Sequence, residues 1–441
     1  MLRSLYSGIS GMKVNQTKLD VIGNNIANVG TTSFKSAKVR FQDMLSQNVT
    51  QALAPGVNQG GINPRQVGLG VQIAGIDTLV SQGMMQPTSR NLDVAIDGEG
   101  YFMVGSGQLP LDNERAVTLN GSEMIDTNGM TISYTRDGSF TLDSSGNLLT
   151  SDGYRVMGYA AKVNGGEDSV KYVNGRLDSV NFVNTNDLSI KAGPTLVPLV
   201  IPDSVRMPAS NFTNETALRV SSGTATAAQS PTIVNTATGS AYNGDTAVVQ
   251  VKYEKDTNKW EYFVNGESQG TLPRDIDGDG TQDYSVDLPG GVTIEVPTTG
   301  PANDTMWTQN LYKEGAPSRI TTFNIGKDGV VSAVLEGGEV TALGQIAMAS
   351  FKNSAGLTKL GKNLYEKSAN SGDAIVRSGM ASNSDNSGAY GDMLQGVLEM
   401  SNVDLAEQFT DMIVTSRAFQ ANSKTITTGD EILQDILNLK R

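Results

Sequence analysis

Apolar side chains recur at alternating steps of four and three residues near both ends of the chain. In the C-terminal region the series comprises Leu405, Phe409, Met412, Ser416, Phe419, Ser423, Ile426, Asp430, Leu433 and Leu437. In the N-terminal region it comprises Leu2, Leu5, Ile9, Met12, Gln16, Leu19, Gly23 and Ile26. A mean spacing of about 3.5 residues places such positions in one stripe along a helix, and the stripe needs a partner helix to cover it. The pattern predicts terminal helices that pair as a coiled coil, either with each other or with the same segments of neighbouring copies.

The second terminal helix is predicted to run from about residue 402 to residue 439, with Ser401 and Asp404 as a capping box at its start. At 1.5 Å per residue its length would be about 55 Å. Isolated helices are marginal in water, so we expect these segments to gain order when their apolar faces meet. The predicted polymer interface consists of the apolar members of both series: Leu2, Leu5, Ile9, Met12, Leu19, Ile26, Leu405, Phe409, Met412, Phe419, Ile426, Leu433 and Leu437.

The charges of the two ends favour their association. Residues 1–40 carry six basic side chains and one acidic side chain, whereas residues 401–441 carry six acidic and four basic side chains. The resulting attraction is modest and is screened by salt. It favours the pairing of unlike ends.

Short apolar runs separated by Gly-containing turns fill the rest of the chain, which is typical of β-structure. Hairpin turns are predicted after Asp143 and at Lys327. The stretch between residues 162 and 318 differs in composition, because it is rich in Thr, Asn, Val, Gly and Asp. The predicted fold is a multidomain α+β protein with four parts: a terminal helical domain (1–30 with 401–441), an extended connecting segment (31–70 with 381–400), a discontinuous, mainly-β middle domain (71–161 with 319–380) and an inserted all-β outer domain of sandwich or barrel type (162–318).

Composition excludes several classes of function. The 441 residues include neither cysteine nor histidine, which removes disulfides, thiolate metal sites and the commonest general base. The net charge of −13 disfavours binding to nucleic acid or anionic lipid. The sequence holds no apolar run of about 18 residues that could insert into a membrane. We therefore expect a protein that is not an enzyme and needs no cofactor.

One acidic loop and two tryptophans are candidates for binding chemistry. Residues 275–283 place carboxylates at alternate positions, with Gly280 where a calcium loop would turn. The twelfth position is Val286, where an EF-hand has a bidentate glutamate, so an acidic hairpin loop is favoured over a calcium site. Trp260 and Trp307 are predicted to belong to the core of the insertion.

Six motifs carry a resemblance to a known family. They are LRSLYSGISG at 2–11, DVIGNNIANVGTTSFK at 20–35, NLDVAIDGEGYF at 91–102, YTRDGSFTLDSSGNL at 134–148, SNVDLAE at 401–407 and SRAFQANSKTI at 416–426. The first two and the last two resemble the N-terminal and C-terminal signatures of the bacterial flagellar rod and hook family, and the middle pair resembles the core of its middle domain. Ser33 departs from the pattern, because the family usually has glycine before Phe-Lys; this weakens the case for a glycine-only backbone conformation there.

The resemblance implies a subunit of a tubular polymer. Within the family, the large insertion favours a hook subunit, which forms a flexible coupling between motor and filament; the alternative is a distal rod subunit, which would lack most of residues 162–318. Such subunits are exported unfolded through the flagellar type III apparatus and assemble beneath a hook cap, between rod and hook–filament junction proteins. The opening residues lack the basic cluster and apolar block of a secretory signal. We therefore expect an extracellular, flagellar location reached without a cleavable signal peptide.

Overall fold

The computed structural model describes residues 2–52, 54, 60–107, 117–120, 123–126, 129–162, 169–173, 176–185, 191–208, 216–235, 242, 244, 246–273, 283–313, 315–377 and 391–439. Helix α1 (Leu2–Ala27) lies near the N-terminus and helix α2 (Leu405–Leu439) near the C-terminus. The prediction of a mainly-β chain with terminal helices is confirmed. Within the described ranges, neither helix is long and apolar enough to cross a membrane.

Asp404 caps α2, and the predicted capping box is wrong in one member. The Asp404 carboxylate oxygen Oδ1 accepts hydrogen bonds from the backbone N–H groups of Ala406 (2.8 Å) and Glu407 (3.2 Å). Ser401 instead accepts a hydrogen bond from the N–H of Val403 at 3.3 Å, before the helix begins. The helix begins three residues later than predicted because Asn402 binds other parts of the chain through its side chain.

Replacing Asp404 with alanine is expected to lower the stability of α2 by about 1 kcal/mol, because two N–H groups of the first turn lose their acceptor. Urea unfolding followed by far-ultraviolet circular dichroism measures this loss. The matched control is Asp404→Asn, which keeps an acceptor oxygen and is expected to retain most of the stability. Equal losses in the two variants would contradict the capping role.

Two β-ribbons follow α1. The strands of this region are β1 (Ala37–Asp43), β2 (Ser46–Thr50), β3 (Arg65–Gly68), β4 (Val71–Thr78) and β5 (Met85–Pro87). Strand β1 pairs antiparallel with β4, and β2 pairs antiparallel with β3. The buried side chain of Val39 lies in β1, which packs with β4 against α1. The segment predicted as an extended connection therefore runs beside the first helix.

A sixteen-stranded sheet forms what is here called the main β body. The strands of its first region are β6 (Val94–Asp97), β7 (Tyr101–Ser106), β8 (Val117–Asn120), β9 (Glu123–Asp126), β10 (Thr131–Thr135), β11 (Phe140–Leu142), β12 (Leu148–Thr150), β13 (Arg155–Lys162), β14 (Val170–Val173), β15 (Arg176–Val180), β16 (Lys191–Pro198) and β17 (Ser204–Arg206). Of these, β6, β14 and β15 pair outside the sixteen-stranded sheet. Strand β7 sits near the centre, paired with β10 and β13. Phe102 and Phe140 pack edge to face in one core cluster of this body, with ring centroids 5.2 Å apart.

A second group of strands forms what is here called the inserted β body, residues 216–311. These strands are β18 (Thr216–Ala217), β19 (Arg219–Ser222), β20 (Thr232–Asn235), β21 (Ala247–Glu254), β22 (Lys259–Val264), β23 (Glu267–Leu272), β24 (Ser285–Leu288), β25 (Val292–Glu295) and β26 (Thr305–Leu311). They make a four-stranded and a five-stranded sheet around one apolar core. Trp260 and Trp307 lie in that core, as predicted, with ring centroids 5.3 Å apart.

The chain then returns to the main β body. The strands of this last region are β27 (Pro317–Ile325), β28 (Val330–Leu335), β29 (Val340–Ile346), β30 (Met348–Ser350), β31 (Thr358–Gly361), β32 (Leu364–Glu366), β33 (Ile375–Arg377), β34 (Asp392–Gln395) and β35 (Val397–Glu399). The last two form separate two-stranded sheets. Strand β34 pairs with β6, and β35 pairs with β5. The segment just before α2 is therefore held by the N-terminal half of the chain. The predicted turns are present: Asp143 Oδ1 accepts hydrogen bonds from the N–H groups of Ser145 and Asn147, both at 2.8 Å, and the Lys327 turn joins β27 to β28.

The structure moves one predicted boundary. The insertion was expected to begin at residue 162, but β16 pairs with β13 and β17 pairs with β27 in the main sheet. Tyr172 and Leu199 accordingly lie in the main core. The separate core begins near residue 216 because the strands before it complete the main sheet.

The two β bodies meet at the turn between β28 and β29. The Asn310 side chain donates hydrogen bonds to the Gly337 carbonyl at 2.8 Å and to Glu339 Oε1 at 2.9 Å. The Tyr312 hydroxyl donates to Glu339 Oε2 at 2.6 Å, and burial, together with this carboxylate, raises the pKa of Tyr312. Gly337 fits closely, since a Cβ atom there would lie 2.3 Å from the Tyr312 hydroxyl oxygen.

Candidate assembly surface

The terminal helices pack against each other in antiparallel orientation. A Cβ atom placed on Gly8 would lie 3.0 Å from Ile426 Cγ1, and one placed on Gly429 would lie 2.8 Å from Leu5 Cδ2. At the other end of the pair, the Asn25 side chain donates a hydrogen bond to Gln408 Oε1 at 3.0 Å. Residue numbers thus increase along α1 in the direction in which they decrease along α2. Of the two partners that the sequence left open, the chain's own opposite end covers one face of each helix.

The buried positions of the two helices combine apolar side chains, such as Val14 and Ile22 of α1, with glycine and polar side chains. Gly8 and Gly11 are buried on α1, and Thr415 and Gly429 are buried on α2. Close approach of this kind depends on the missing side chains: a Cβ atom on Gly11 would lie 2.6 Å from Asn422 Nδ2. An ion pair between Lys18 and Asp411, 3.3 Å apart, flanks the contact.

Replacing Gly8 with leucine is expected to push the helices apart, because the added side chain meets both Ile426 and the Asn422 carbonyl oxygen. Overpacking of this kind costs about 1–3 kcal/mol. The matched control is Gly23→Leu on the same helix, since a Cβ atom there meets nothing within 4 Å. Thermal unfolding followed by circular dichroism should show a loss for Gly8→Leu alone; equal behaviour of the two variants would contradict the close packing.

Outside the surface that they share, the two helices expose large apolar side chains. Phe409 is 50% exposed, Ile413 is 63% exposed and Leu437 is 66% exposed. The remaining large exposed apolar side chains of the two helices are Tyr6, Ile9, Leu405, Val414, Ile432, Ile436 and Leu439. So many uncovered apolar side chains on one helical hairpin indicate a surface that a partner covers. These ten side chains are here called the apolar hairpin face.

The structure divides the predicted interface residues into two groups. Ile9, Leu405, Phe409 and Leu437 belong to the apolar hairpin face. The half-buried group, which lies nearer the shared face, comprises Leu5, Met12, Leu19, Ile26, Met412, Phe419, Ile426 and Leu433. Leu2 is the first residue of α1, and the placement of its side chain lies outside the described residues.

Sequence reasoning missed several members of the apolar hairpin face. Tyr6, Ile413, Val414, Ile432 and Ile436 were not in the predicted set, yet all are exposed. The available signals were two separate pairs at a spacing of four residues, Phe409 with Ile413 and Ile432 with Ile436. A single heptad register includes Phe409 but none of the other three.

The β-ribbons add exposed apolar side chains beside the hairpin. The exposed members are Phe41, Met44, Leu45, Val49, Ile62, Val67, Leu69, Ile73, Ile76, Leu79 and Met84. The ribbons meet α1 at Gly70, where a Cβ atom would lie 2.3 Å from Ser10 Oγ. Among the described residues, the exposed large apolar side chains are therefore concentrated on the terminal helices and on the segment that follows α1.

The calcium-loop candidate falls largely outside the described residues, which include only Asp283 of its carboxylates. Within the described ranges, no group of three or more acidic side chains is arranged to hold a metal ion.

Comparison with known proteins matches three parts of the chain to family models. Residues 5–35 match the flagella basal body rod protein model, residues 95–205 match the flagellar hook protein FlgE/F/G D1 domain, and residues 394–439 match the flagellar basal body rod FlgEFG protein C-terminal model. These ranges contain most of the motifs found in the sequence.

Whole-chain relatives agree with the family models. The chain is 32% identical to a flagellar hook protein FlgE of Borreliella burgdorferi, with all of both chains covered. It is 33% identical to a flagellar basal-body rod protein FlgG of Bacillus subtilis, again with all of both chains covered. A crystal structure of the Helicobacter pylori flagellar hook protein FlgE2 matches 71% of this chain and 100% of its own, at 14% identity and a TM-score of 0.39. With three family models matched and a relative above 30% identity over the full length, the chain belongs to the flagellar rod and hook protein family.

Proposed function

We propose that this chain is a structural, non-enzymatic subunit of the bacterial flagellar hook, which polymerises with copies of itself into a flexible tube. The observation that carries the proposal is the apolar hairpin face, exposed on a chain that belongs to the rod and hook family. A protein that functions as a monomer would rarely leave so many apolar side chains exposed on two long helices.

The energetics favour assembly through this face. Each large apolar side chain contributes roughly 1.5–3 kcal/mol when it moves from full exposure to full burial. Pairing within one chain buries Val14 and Ile22 and leaves many other apolar side chains of the hairpin half-buried or exposed, so it uses only part of that free energy. The remainder becomes available when neighbouring copies pack their hairpins together as coiled coils, and the predicted interface residues would then be covered from both sides.

The layered domain arrangement is part of the same proposal. The terminal helices would line the channel of the tube, the main β body would form a middle shell, and the inserted β body would face outward. The difference in surface chemistry supports this order, because the apolar hairpin face suits strong inner contacts. A flexible tube needs outer contacts that slide, and an outer body that keeps Trp260 and Trp307 in its own core suits that requirement.

The partners and location follow from the proposed role. The tube would connect to rod proteins at one end and to hook–filament junction proteins at the other, growing beneath a hook cap. Subunits would reach the outside of the cell unfolded, through the flagellar type III export apparatus. A chain whose long-range contacts join residues 35 and 399 would form those contacts only after export is complete.

A distal rod subunit is the second candidate. It is favoured by the 33% identity with a protein named as a basal-body rod protein, which covers all of both chains. Against it stands the inserted β body of residues 216–311, since the family resemblance implies a compact distal rod subunit.

Electron microscopy of the purified protein under polymerising conditions tests the proposal. A hook subunit is expected to form curved or bendable tubes, whereas a rod subunit is expected to form straight, rigid ones, and helical repeat and diameter separate the two. The matched variants lack the first 30 or the last 40 residues and are expected to form no tubes. Full-length tubes from either truncated chain would contradict assembly through the terminal helices.

A further inference from the structure

Three buried charged side chains from distant parts of the chain meet where the helical hairpin joins the main β body. Lys35 Nζ lies 2.5 Å from Glu399 Oε1, and Arg136 Nη1 lies 3.4 Å from Glu399 Oε2. All three side chains are at least 96% buried. The set Lys35, Arg136 and Glu399 is here called the junction triad. Its members come from the N-terminal motif, the middle motif and the residues immediately before the C-terminal motif.

Hydrogen bonds satisfy the charges of the triad. Lys35 Nζ also donates to the Ser81 carbonyl at 2.9 Å, and the N–H of Gly83 donates to Glu399 Oε1 at 2.8 Å. Arg136 donates through Nε to the Gly100 carbonyl at 2.8 Å and through Nη2 to the Gly98 carbonyl. Burial lowers the pKa of Lys35, and the Glu399 carboxylate opposes that shift. The triad is thus a built, directional site with partners on several segments.

The backbone next to the triad joins the two terminal segments directly. The Ser33 N–H donates to the Glu399 carbonyl at 2.8 Å, and the Ser33 hydroxyl donates to the Arg136 carbonyl at 2.7 Å. Ser33 adopts a left-handed conformation with φ of +55°. The family's usual glycine would adopt that conformation without strain, whereas serine holds it with a buried hydrogen bond.

Hydrogen bonds continue from this junction into both helices. The Asn402 side chain accepts from the Ser36 N–H at 2.8 Å and donates to the Leu79 carbonyl at 2.9 Å. The Asn25 side chain binds the backbone of Ala37 through both its oxygen and its nitrogen, and it also donates to Gln408. The end of α1 and the beginning of α2 are therefore tied to the triad through an unbroken series of contacts.

Stability alone is a poor explanation for such a site. Replacing a buried ion pair by apolar side chains of similar size is often neutral or stabilising, so an apolar core would hold the joint at least as firmly. Charged groups with fixed hydrogen-bond directions specify one relative orientation of the segments that they join, which an apolar core does less well. Lys35 and Glu399 are 364 positions apart in sequence, so that geometry orients one end of the chain with respect to the other.

We propose that Lys35, Arg136 and Glu399 are positioning residues that fix the angle and register at which the helical hairpin leaves the main β body. This rests on the proposed function in one respect: the purpose of a fixed angle is to present the apolar hairpin face in the same orientation in every copy. A helical tube repeats each contact many times, so a variable angle would prevent regular growth.

Distance measurements on the unassembled protein test the proposal. The chain has no cysteine, so Thr410→Cys on α2 and Lys352→Cys on the main β body provide two unique sites for spin labels. The parent protein is expected to give one narrow distance distribution by pulsed electron paramagnetic resonance. Glu399→Gln, which keeps the shape of the side chain but removes its charge, is expected to broaden the distribution at least about twofold, because Lys35 and Arg136 lose their common partner. The matched control, Lys367→Met, breaks an exposed ion pair with Asp373 and is expected to leave the distribution narrow.

A triple variant separates positioning from packing. Lys35→Met with Arg136→Met and Glu399→Leu removes all three charges, so the protein should stay folded even if Glu399→Gln alone does not. The proposal predicts a broad distribution for this folded variant, and a narrow one would overturn it. A folded Glu399→Gln variant whose distance distribution is as narrow as that of the parent protein would also overturn the proposal. Since no tube is needed, failure of the unmodified chain to polymerise would overturn the proposed function and leave this result standing.

Discussion

Replacing Phe409 with aspartate is expected to abolish tube formation while both β bodies stay folded. Phe409 is half exposed on the apolar hairpin face, so the monomer tolerates a carboxylate there. In the tube the same position would be covered by a neighbouring copy, and burying an unpaired carboxylate costs several kcal/mol. Every copy in the polymer carries that cost, so the effect on assembly should be close to complete.

Sedimentation and electron microscopy under polymerising conditions measure this effect, with circular dichroism as the test of folding. The matched control is Val248→Asp, which places the same charge at an exposed apolar position of the inserted β body and should leave assembly intact. Phe419→Asp is also expected to prevent assembly, but Phe419 is half-buried, so this variant should weaken the hairpin as well. Tubes of normal length from the Phe409→Asp variant would contradict assembly through the apolar hairpin face.

Replacing Trp307 with alanine is expected to unfold the inserted β body alone. Trp307 is fully buried against Trp260, and its indole N–H donates a hydrogen bond to Ser230 Oγ at 3.3 Å. Removing a buried aromatic side chain of this size costs about 3–5 kcal/mol, which is a large share of the stability of a small domain. The main β body has its own core and should keep its fold.

Calorimetry should therefore show two unfolding transitions in the parent protein, of which Trp307→Ala removes or lowers only one. The matched control is Phe102→Ala, which empties a buried site in the main core and should lower the other transition. If each substitution shifted both transitions equally, the two cores would form one cooperative unit and the division into two β bodies would be wrong.

The sequence predicted the features that depend on local pattern. Helical periodicity placed both terminal helices within a few residues of their observed bounds, and turn chemistry located the hairpins at Asp143 and Lys327. The tryptophan positions were also predictable, because large aromatic side chains in an alternating strand pattern are usually core.

Features that depend on long-range pairing were not predictable. Residues 162–207 have the same strand pattern whether they join the main sheet or the insertion, so the boundary had to come from the structure. The close approach of the two helices was missed because it depends on Gly8, Gly11 and Gly429, which a count of apolar residues ignores. Lys35 and Glu399 look like surface charges in sequence, and only the fold brings them together.

Labelling of a single introduced cysteine tests the central claim most directly. Ile413→Cys places the only thiol of the chain on the apolar hairpin face, and Val248→Cys places one on the inserted β body as the control. Covering of the hairpin face by neighbouring copies predicts that the thiol at position 413 reacts readily with a maleimide in the monomer and is protected in assembled tubes, while the thiol at position 248 reacts in both. Equal reactivity of the thiol at position 413 in monomer and tube would contradict it.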